Sequence, residues 1–290
     1  MTAGAALEPL PTPSVLRSVS LQLMWTDRPF PRRVAAAAAA GFDLVDLWDW
    51  RTDDIDTIAA AAAAANIGIN GFFGNRQHAA CDPAGQAAFL EEVRQSLDCA
   101  VRVGARQLHV FSNAIRPGGV VVPAPPLPPE ALRAAGVDAL AAAADLVAGT
   151  GLTLMLEHLN TVFLPGYLWD DAGIVTSICR EVDRAEVRVA FDTYHQQLTG
   201  GRLTDHLVAA LPYLGRFDVA GVPGRAEPGR GEIDFAFLRT VLDRHGWNGV
   251  ITFEVVPSDG DPGTAVAAID AFFPAGWCRD RSGASRRREE

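Results

Sequence analysis

Eight short β-prone runs alternate with Ala- and Leu-rich helical stretches between about Ser18 and Phe273, and this alternation restricts the chain to repeated βα units around a parallel sheet. The runs are Ser18 to Trp25, Leu44 to Trp50, Ile67 to Phe73, Gln107 to Phe111, Leu152 to Glu157, Val187 to Asp192, Arg216 to Ala220 and Val250 to Val256. Helices are predicted between them at Arg32 to Ala40, Ile55 to Ala65, Gln86 to Val103, Pro129 to Thr150, Ala172 to Val182, Asp205 to Leu211 and Phe235 to His245. Several junctions repeat one device: a helix stops at Gly41, Gly104, Gly151 or Gly246 and a strand follows at once, as a left-handed helix cap requires. Eight units with right-handed crossovers predict a closed (β/α)8 barrel, and no G-x-G-x-x-G follows the first run to suggest a doubly wound sheet. The barrel is expected over residues 17–275, after a Pro-rich leader at 1–16 and before a charged tail at 276–290 expected to be disordered.

Four runs in the second half end in a carboxylate: Glu157, Asp192, Asp218 and Glu254. Strand C-termini of such a barrel share one pocket, so the four acids converge there and repel one another unless something positive receives them. A divalent metal is the simplest remedy, and an all-oxygen donor set suits Mg2+ or Mn2+. Taken singly, each acid could instead cap the next helix or pair with an arginine. The Pro-rich piece Pro117 to Pro129 follows the fourth run on the same face, as a lid or as a stiff loop. Leu-Trp48-Asp49-Trp50 ends the second run, and Trp25 and Phe72-Phe73 are expected to share this aromatic entrance, as packing or as a stacking surface for substrate.

The formal charge of -10 argues against nucleic acid and anionic membrane as partners, leaving a small-molecule ligand. The longest low-polarity stretch, Ile58 to Ile69, is too short and Ala-rich to span a bilayer, and the N-terminus carries no secretory pattern. Four scattered cysteines without a C-x-x-C pair read as reduced thiols of a cytoplasmic protein.

Glu157-His-Leu-Asn160 with Pro165-Gly-Tyr167, Asp192-Thr-Tyr-His195, Gly221-Val-Pro-Gly-Arg225 with Glu227-Pro228, and Phe-Glu254 together resemble the hydroxypyruvate isomerase family of the xylose isomerase-like barrel superfamily, which also holds ketose 3-epimerases and inosose isomerases. The resemblance covers roughly Ser18 to Phe273. It implies that Glu157, Asp192, Asp218 and Glu254 bind the metal, that Glu157 and Glu254 are the catalytic proton-transferring pair, and that His195 and Arg225 contact substrate oxygens. It also suggests a dimer or tetramer. The residues alone leave other roles open: His195 could orient a metal ligand, Arg225 could pair with Glu227 or Glu232, and His109 could reach the pocket or serve as a buried structural histidine.

Two positions depart from the resemblance. Asp218 stands where the family offers a neutral His or Gln, and Arg216 replaces a common His two residues earlier. Arg216 is expected either to offset the added charge or to form an ion pair in the barrel core. The leading expectation is a metal-dependent isomerase or epimerase of a small hydroxy-carbonyl compound, working by proton transfer through an enediolate. A lyase or dehydratase could use the same metal and carboxylates. Loss of the metal would leave a non-catalytic barrel, while a phosphodiesterase like endonuclease IV would need a multi-zinc set rich in His, and the chain has only six histidines and no basic DNA-facing stretch.

Overall fold

All eight predicted runs become barrel strands, several of them shorter than their apolar stretch. The computed structural model describes residues 15–52 and 54–277; the leader, except for its last two residues, and all but the first two residues of the predicted tail lie outside that range. The strands are β1 (Leu16–Ser20), β2 (Leu44–Asp46), β3 (Gly68–Phe73), β4 (Gln107–Val110), a hairpin of β5 (Ile115–Arg116) and β6 (Val120–Val121), then β7 (Thr153–Glu157), β8 (Val187–Asp192), β9 (Leu214–Val219) and β10 (Val250–Phe253). The closed sheet runs β1-β10-β9-β8-β7-β4-β3-β2, with every neighbour parallel, so the eight-stranded barrel expected from the alternation is present.

The outer helices are α1 (Phe30–Ala39), α2 (Ile55–Ala65), α3 (Gln86–Val103), α4 (Pro129–Val147), α5 (Ala172–Val182), α6 (Thr193–Thr199), α7 (Leu203–Ala210), α8 (Phe235–Arg244) and α9 (Pro262–Phe272). Asp54, Asp171, Asp234 and Asp261 cap four of them by accepting a backbone N–H of the first turn. Gly104 ends α3 at a φ of 70°, the left-handed cap anticipated at that junction. No helix among the described residues is long and apolar enough to cross a membrane.

The first run departs from expectation. Its strand stops at Ser20, because the backbone N–H groups of Leu23 and Met24 turn back to the Ser20 carbonyl. Helices α6 and α9 went unpredicted. The first is seven residues long and starts directly on the strand-end Asp192, whose side chain caps it through His195 N. Pro117 to Pro129 is preceded and partly formed by the hairpin β5–β6, which turns at Gly118 and Gly119, both with positive φ.

Period-two alternation carries the site. Register pairs Asp192 with Asp218 and Asp218 with Thr252, while Arg216 lies beside Ala190 and Val250. Residues two apart share a face, so Arg216 with Asp218, Gln107 with His109, and Met155 with Glu157 all point into the barrel. Gly71 permits the close approach of β3 to β4: a Cβ there would lie 2.4 Å from the Gln107 carbonyl oxygen.

Candidate active site

The floor of the site is a buried polar cluster. Arg216, fully enclosed, donates through Nη2 to Asp218 Oδ2 at 2.6 Å and through Nη1 to Asp46 Oδ1 at 3.4 Å. Asp46 also accepts from Ser18 Oγ, from Asn70 Nδ2 at 3.0 Å and from Thr252 Oγ1 at 3.1 Å. Both expectations for Arg216 are met at once: it forms a buried ion pair in the barrel, and one partner is Asp218, whose charge it offsets. Asp46, Asn70 and Gln107 were not singled out from the sequence, although Asp46 ends an apolar run just as the four noted acids do.

Above this floor Arg216 Nη1 also donates to His109 Nε2. The ring proton of neutral His109 therefore sits on Nδ1, which faces Glu157 Oε2 at 3.2 Å and donates to it. Burial first, and then the Arg216 charge, lower the His109 pKa to about 3, so the ring is neutral. Glu157 is steadied from behind by Tyr167, whose hydroxyl donates to the Glu157 carbonyl at 3.0 Å.

On the opposite rim, Arg225 Nη2 donates to Glu254 Oε2 and, at 3.3 Å, to Asp192 Oδ2. Its Nε donates to the Glu254 carbonyl at 3.2 Å, and its guanidinium lies 5.0 Å from the centre of the Tyr194 ring. The loop presenting Arg225 is closed by Gly221 N to Ala226 O and by Glu232 N to Val222 O, and Val256 N holds the Arg225 carbonyl at 2.8 Å. Neither Glu227 nor Glu232 is its partner; Glu227 instead accepts from the backbone N and the hydroxyl of Ser258.

Asn160, beside the acid in the Glu157-His-Leu-Asn160 segment, donates its backbone N–H to His195 Nδ1 at 2.9 Å. This puts the proton of the neutral ring on Nε2, which lies 3.9 Å from Asp192 Oδ2 and borders the cavity. Burial, with Arg225 nearby, holds His195 well below the usual histidine range. In this tautomer the ring offers a hydrogen-bond donor on Nε2, and the residue borders the cavity.

Five carboxylates, Asp46, Glu157, Asp192, Asp218 and Glu254, are buried around two guanidiniums, leaving three formal negative charges in a low-dielectric site. Burial, and then the negative Glu254, push Glu157 up to about 8, and burial pushes Asp218 up against the pull of Arg216. Asp218 Oδ1 is buried and has no hydrogen-bond partner among the described residues. Glu157 and Asp192 offer carboxylate oxygens within 4.8 Å of one another and of a His195 ring nitrogen, a buried group that could hold a metal ion, with His195 a ligand only where Nε2 gives up its proton. The charge excess, the hard oxygen donors and the orphaned Asp218 oxygen all fit a divalent cation.

The cavity has a volume of about 450 Å3, and Glu157, Glu254, His195, Arg225 and His109 border it. Trp48 and Phe73 of the expected aromatic entrance also line it, while Trp25, Trp50 and Phe72 do not. Trp25 packs edge-on against Phe42, Trp50 Nε1 donates to Ser96, and Phe72 is fully buried in the core. Phe111, Ile115, Gly118 and Gly119, all from the connection between β4 and α4, and Phe163, from the one after β7, complete the wall; Gly118 and Gly119 belong to the stretch expected on this face, whereas Phe111, Ile115 and Phe163 were not singled out.

Residues 34–274 match the profile described as a xylose isomerase-like TIM barrel. The chain belongs to that family. Within the xylose isomerase-like barrels it is 31% identical to the 2-oxo-tetronate isomerase of Cupriavidus necator, over 84% of this chain and 93% of that protein. It is 22% identical to the hydroxypyruvate isomerase of Escherichia coli, over 83% of this chain and 93% of that one. A crystal structure of an AP endonuclease, family 2, from Brucella melitensis superposes with a TM-score of 0.78 at 28% identity, covering 90% of this chain and 99% of the other. The relatives' shared chemistry makes this member of the family an isomerase-type enzyme.

Proposed function

We propose that the protein is a metal-dependent isomerase or epimerase of a small hydroxy-carbonyl compound, of the hydroxypyruvate or ketose kind, with Glu157 and Glu254 as the proton-transferring pair. The observation that carries the reading is that two individually held glutamates, one on His109 and one on Arg225, border a single cavity in a site with excess negative charge.

In this reading Glu157, Asp192, Asp218 and Glu254 hold Mg2+ or Mn2+. When bound, the cation supplies positive charge beside the carbonyl and hydroxyl oxygens of the substrate and so acidifies the C–H between them. Glu157 takes that proton. His109 Nδ1 donates to one of its oxygens and holds the carboxylate in place. His195 Nε2 and the Arg225 guanidinium donate to the substrate oxygens as negative charge develops in the enediolate. Glu254, held by Arg225 and taking its proton from solvent, delivers it to the neighbouring carbon for isomerisation, with the hydroxyl proton passing to the former carbonyl oxygen, or to the opposite face for epimerisation; Glu157 then releases its proton to solvent. The buried free thiols Cys81, Cys99 and Cys179 support a reducing, cytoplasmic setting.

The test is solvent deuterium uptake by hydroxypyruvate, 2-oxo-tetronate and simple ketoses, followed by NMR with Mg2+ or Mn2+ present. Glu157→Gln and Glu254→Gln should each slow exchange by about 10²–10⁴-fold, the usual worth of a positioned general base. Exchange at the parent rate in both variants, or no divalent ion retained on titration, refutes the reading.

A further inference from the structure

We infer that the substrate carries an uncharged apolar group, ring or chain, beyond its hydroxy-carbonyl head, and that Trp48, Phe73 and Phe163 form the site for it. The inference rests on the isomerase reading above for the head and on independent observations for the tail.

The cavity, which is open to solvent at its mouth, has room beyond a small keto acid. Even at roughly 30 Å3 for each non-hydrogen atom, the share of a water molecule in the liquid, a three-carbon hydroxy-keto acid fills about 200 Å3. The observed volume is about 450 Å3. What surrounds the remainder is apolar and continuous with the head site. The His109 ring, bonded to Glu157, lies 6.1 Å from Phe73; Phe73 stacks on Trp48 at 6.4 Å and meets Phe111 edge-on at 4.8 Å. An apolar group extending from a carbon held beside Glu157 therefore runs along aromatic faces from its first atoms.

Exposure is consistent with an occupant. Trp48 is 39% exposed and Phe163 61%, and they are two of the three strongly exposed aromatic side chains among the described residues. Both border the cavity. Phe163 is stacked on Tyr194, 6.3 Å away and nearly parallel, so its ring is held in place rather than free to fold inward.

Charge argues against an anionic tail. The two guanidiniums bordering the cavity are already matched: Arg76 Nη1 to Asp49 at 2.8 Å, and Arg225 to Asp192 and Glu254. A second carboxylate on the substrate would meet a wall of rings and compensated arginines, which does not repay its desolvation.

The experiment compares three probes with the full chain in Mg2+: hydroxyacetone, hydroxypyruvate and 2-hydroxy-1-phenylethanone, which shares the hydroxy-ketone head of the first and adds a phenyl ring. Calorimetry should show the phenyl ketone binding at least about tenfold tighter than either small probe, the worth of one well-stacked ring. Trp48→Ala and Phe163→Ser should each shrink that ratio by severalfold. Phe163 is exposed enough that its replacement leaves folding intact, as circular dichroism would confirm. Equal or reversed affinities, no measurable binding of the phenyl ketone, or a ratio unchanged in both variants overturns the inference. Deuterium exchange on the same samples judges the isomerase reading separately: absence of exchange with every probe would sink that reading while the affinity ratio still decides the tail.

Discussion

Replacing Arg216 with methionine tests the ion pair at the barrel floor. The side chain is wholly enclosed and is the cationic partner of Asp218 at 2.6 Å and of Asp46 at 3.4 Å. Asp46 would keep Ser18, Asn70 and Thr252 as donors and the neutral His109 would lose one on Nε2, whereas the charged Asp218 would lose its hydrogen-bond donor on Oδ2 while Oδ1 already has none. The loss is therefore dominated by one uncompensated buried carboxylate. Breaking a buried pair from one side costs about 3–5 kcal/mol, and we expect the lower end, about 3 kcal/mol, because Asp46 stays solvated by its neighbours. At roughly 2–4 °C per kcal/mol for a chain of this size, Tm should fall by about 6–12 °C. Removing both charges in Arg216→Met/Asp218→Leu should recover most of the deficit, since matched apolar groups replace a buried pair at little cost. The assay is urea unfolding and calorimetry of metal-stripped protein, repeated at high salt, which should leave the deficit unchanged because ions do not reach an enclosed pair. A single-variant loss under about 1 kcal/mol, or a double variant no more stable than the single, would refute the argument that Arg216 compensates a buried charge.

Other consequences follow from the same geometry. Adding Mn2+ or Mg2+ to stripped protein should raise Tm, by the equivalent of about 2.7 kcal/mol at a hundredfold excess over Kd, and Asp218→Ala should reduce that rise in a thermal-shift titration. Gly231→Ala should loosen the loop that carries Arg225, because φ there is 108° and a Cβ would sit 2.0 Å from the Val222 carbonyl oxygen; slower deuterium exchange with a lowered Tm is expected. Burial raises the Cys81 and Cys179 thiols to about 12. Their thiolate fraction near pH 8 is then roughly a thousandfold below that of an open thiol, so peptide mapping after alkylation of native protein should find both unmodified. The same shift sets a pH dependence. Unfolded thiols ionise from about 9 while the folded ones stay protonated to about 12, so the stability they contribute is complete below pH 9 and is lost between pH 9 and 12. Urea midpoints measured across that window should fall, and a flat profile would count against the burial.

The βα alternation and the acids at the ends of the apolar runs were legible because both are periodic and local. Strand residues two apart share a face, and every barrel strand ends at the same mouth, so Glu157, Asp192, Asp218 and Glu254 could be placed around one pocket before any contact was known. Which partner each acid has could not be read in that way. Arg216 pairs with Asp218 two residues away but also with Asp46, 170 positions earlier, and Arg225 reaches Glu254 rather than the nearer Glu227. Such pairings depend on barrel closure, which sets strands remote in sequence side by side. The aromatic wall was legible only in part: Trp48 and Phe73 end apolar runs and were expected at the entrance, whereas Phe111 and Phe163 join them only through barrel closure and loop packing. Local pattern therefore identifies the fold and the kind of chemistry its acids support, while the state of those acids and the shape of the ligand follow from long-range packing, where burial and charge compensation are decided by residues that no short stretch of sequence brings together.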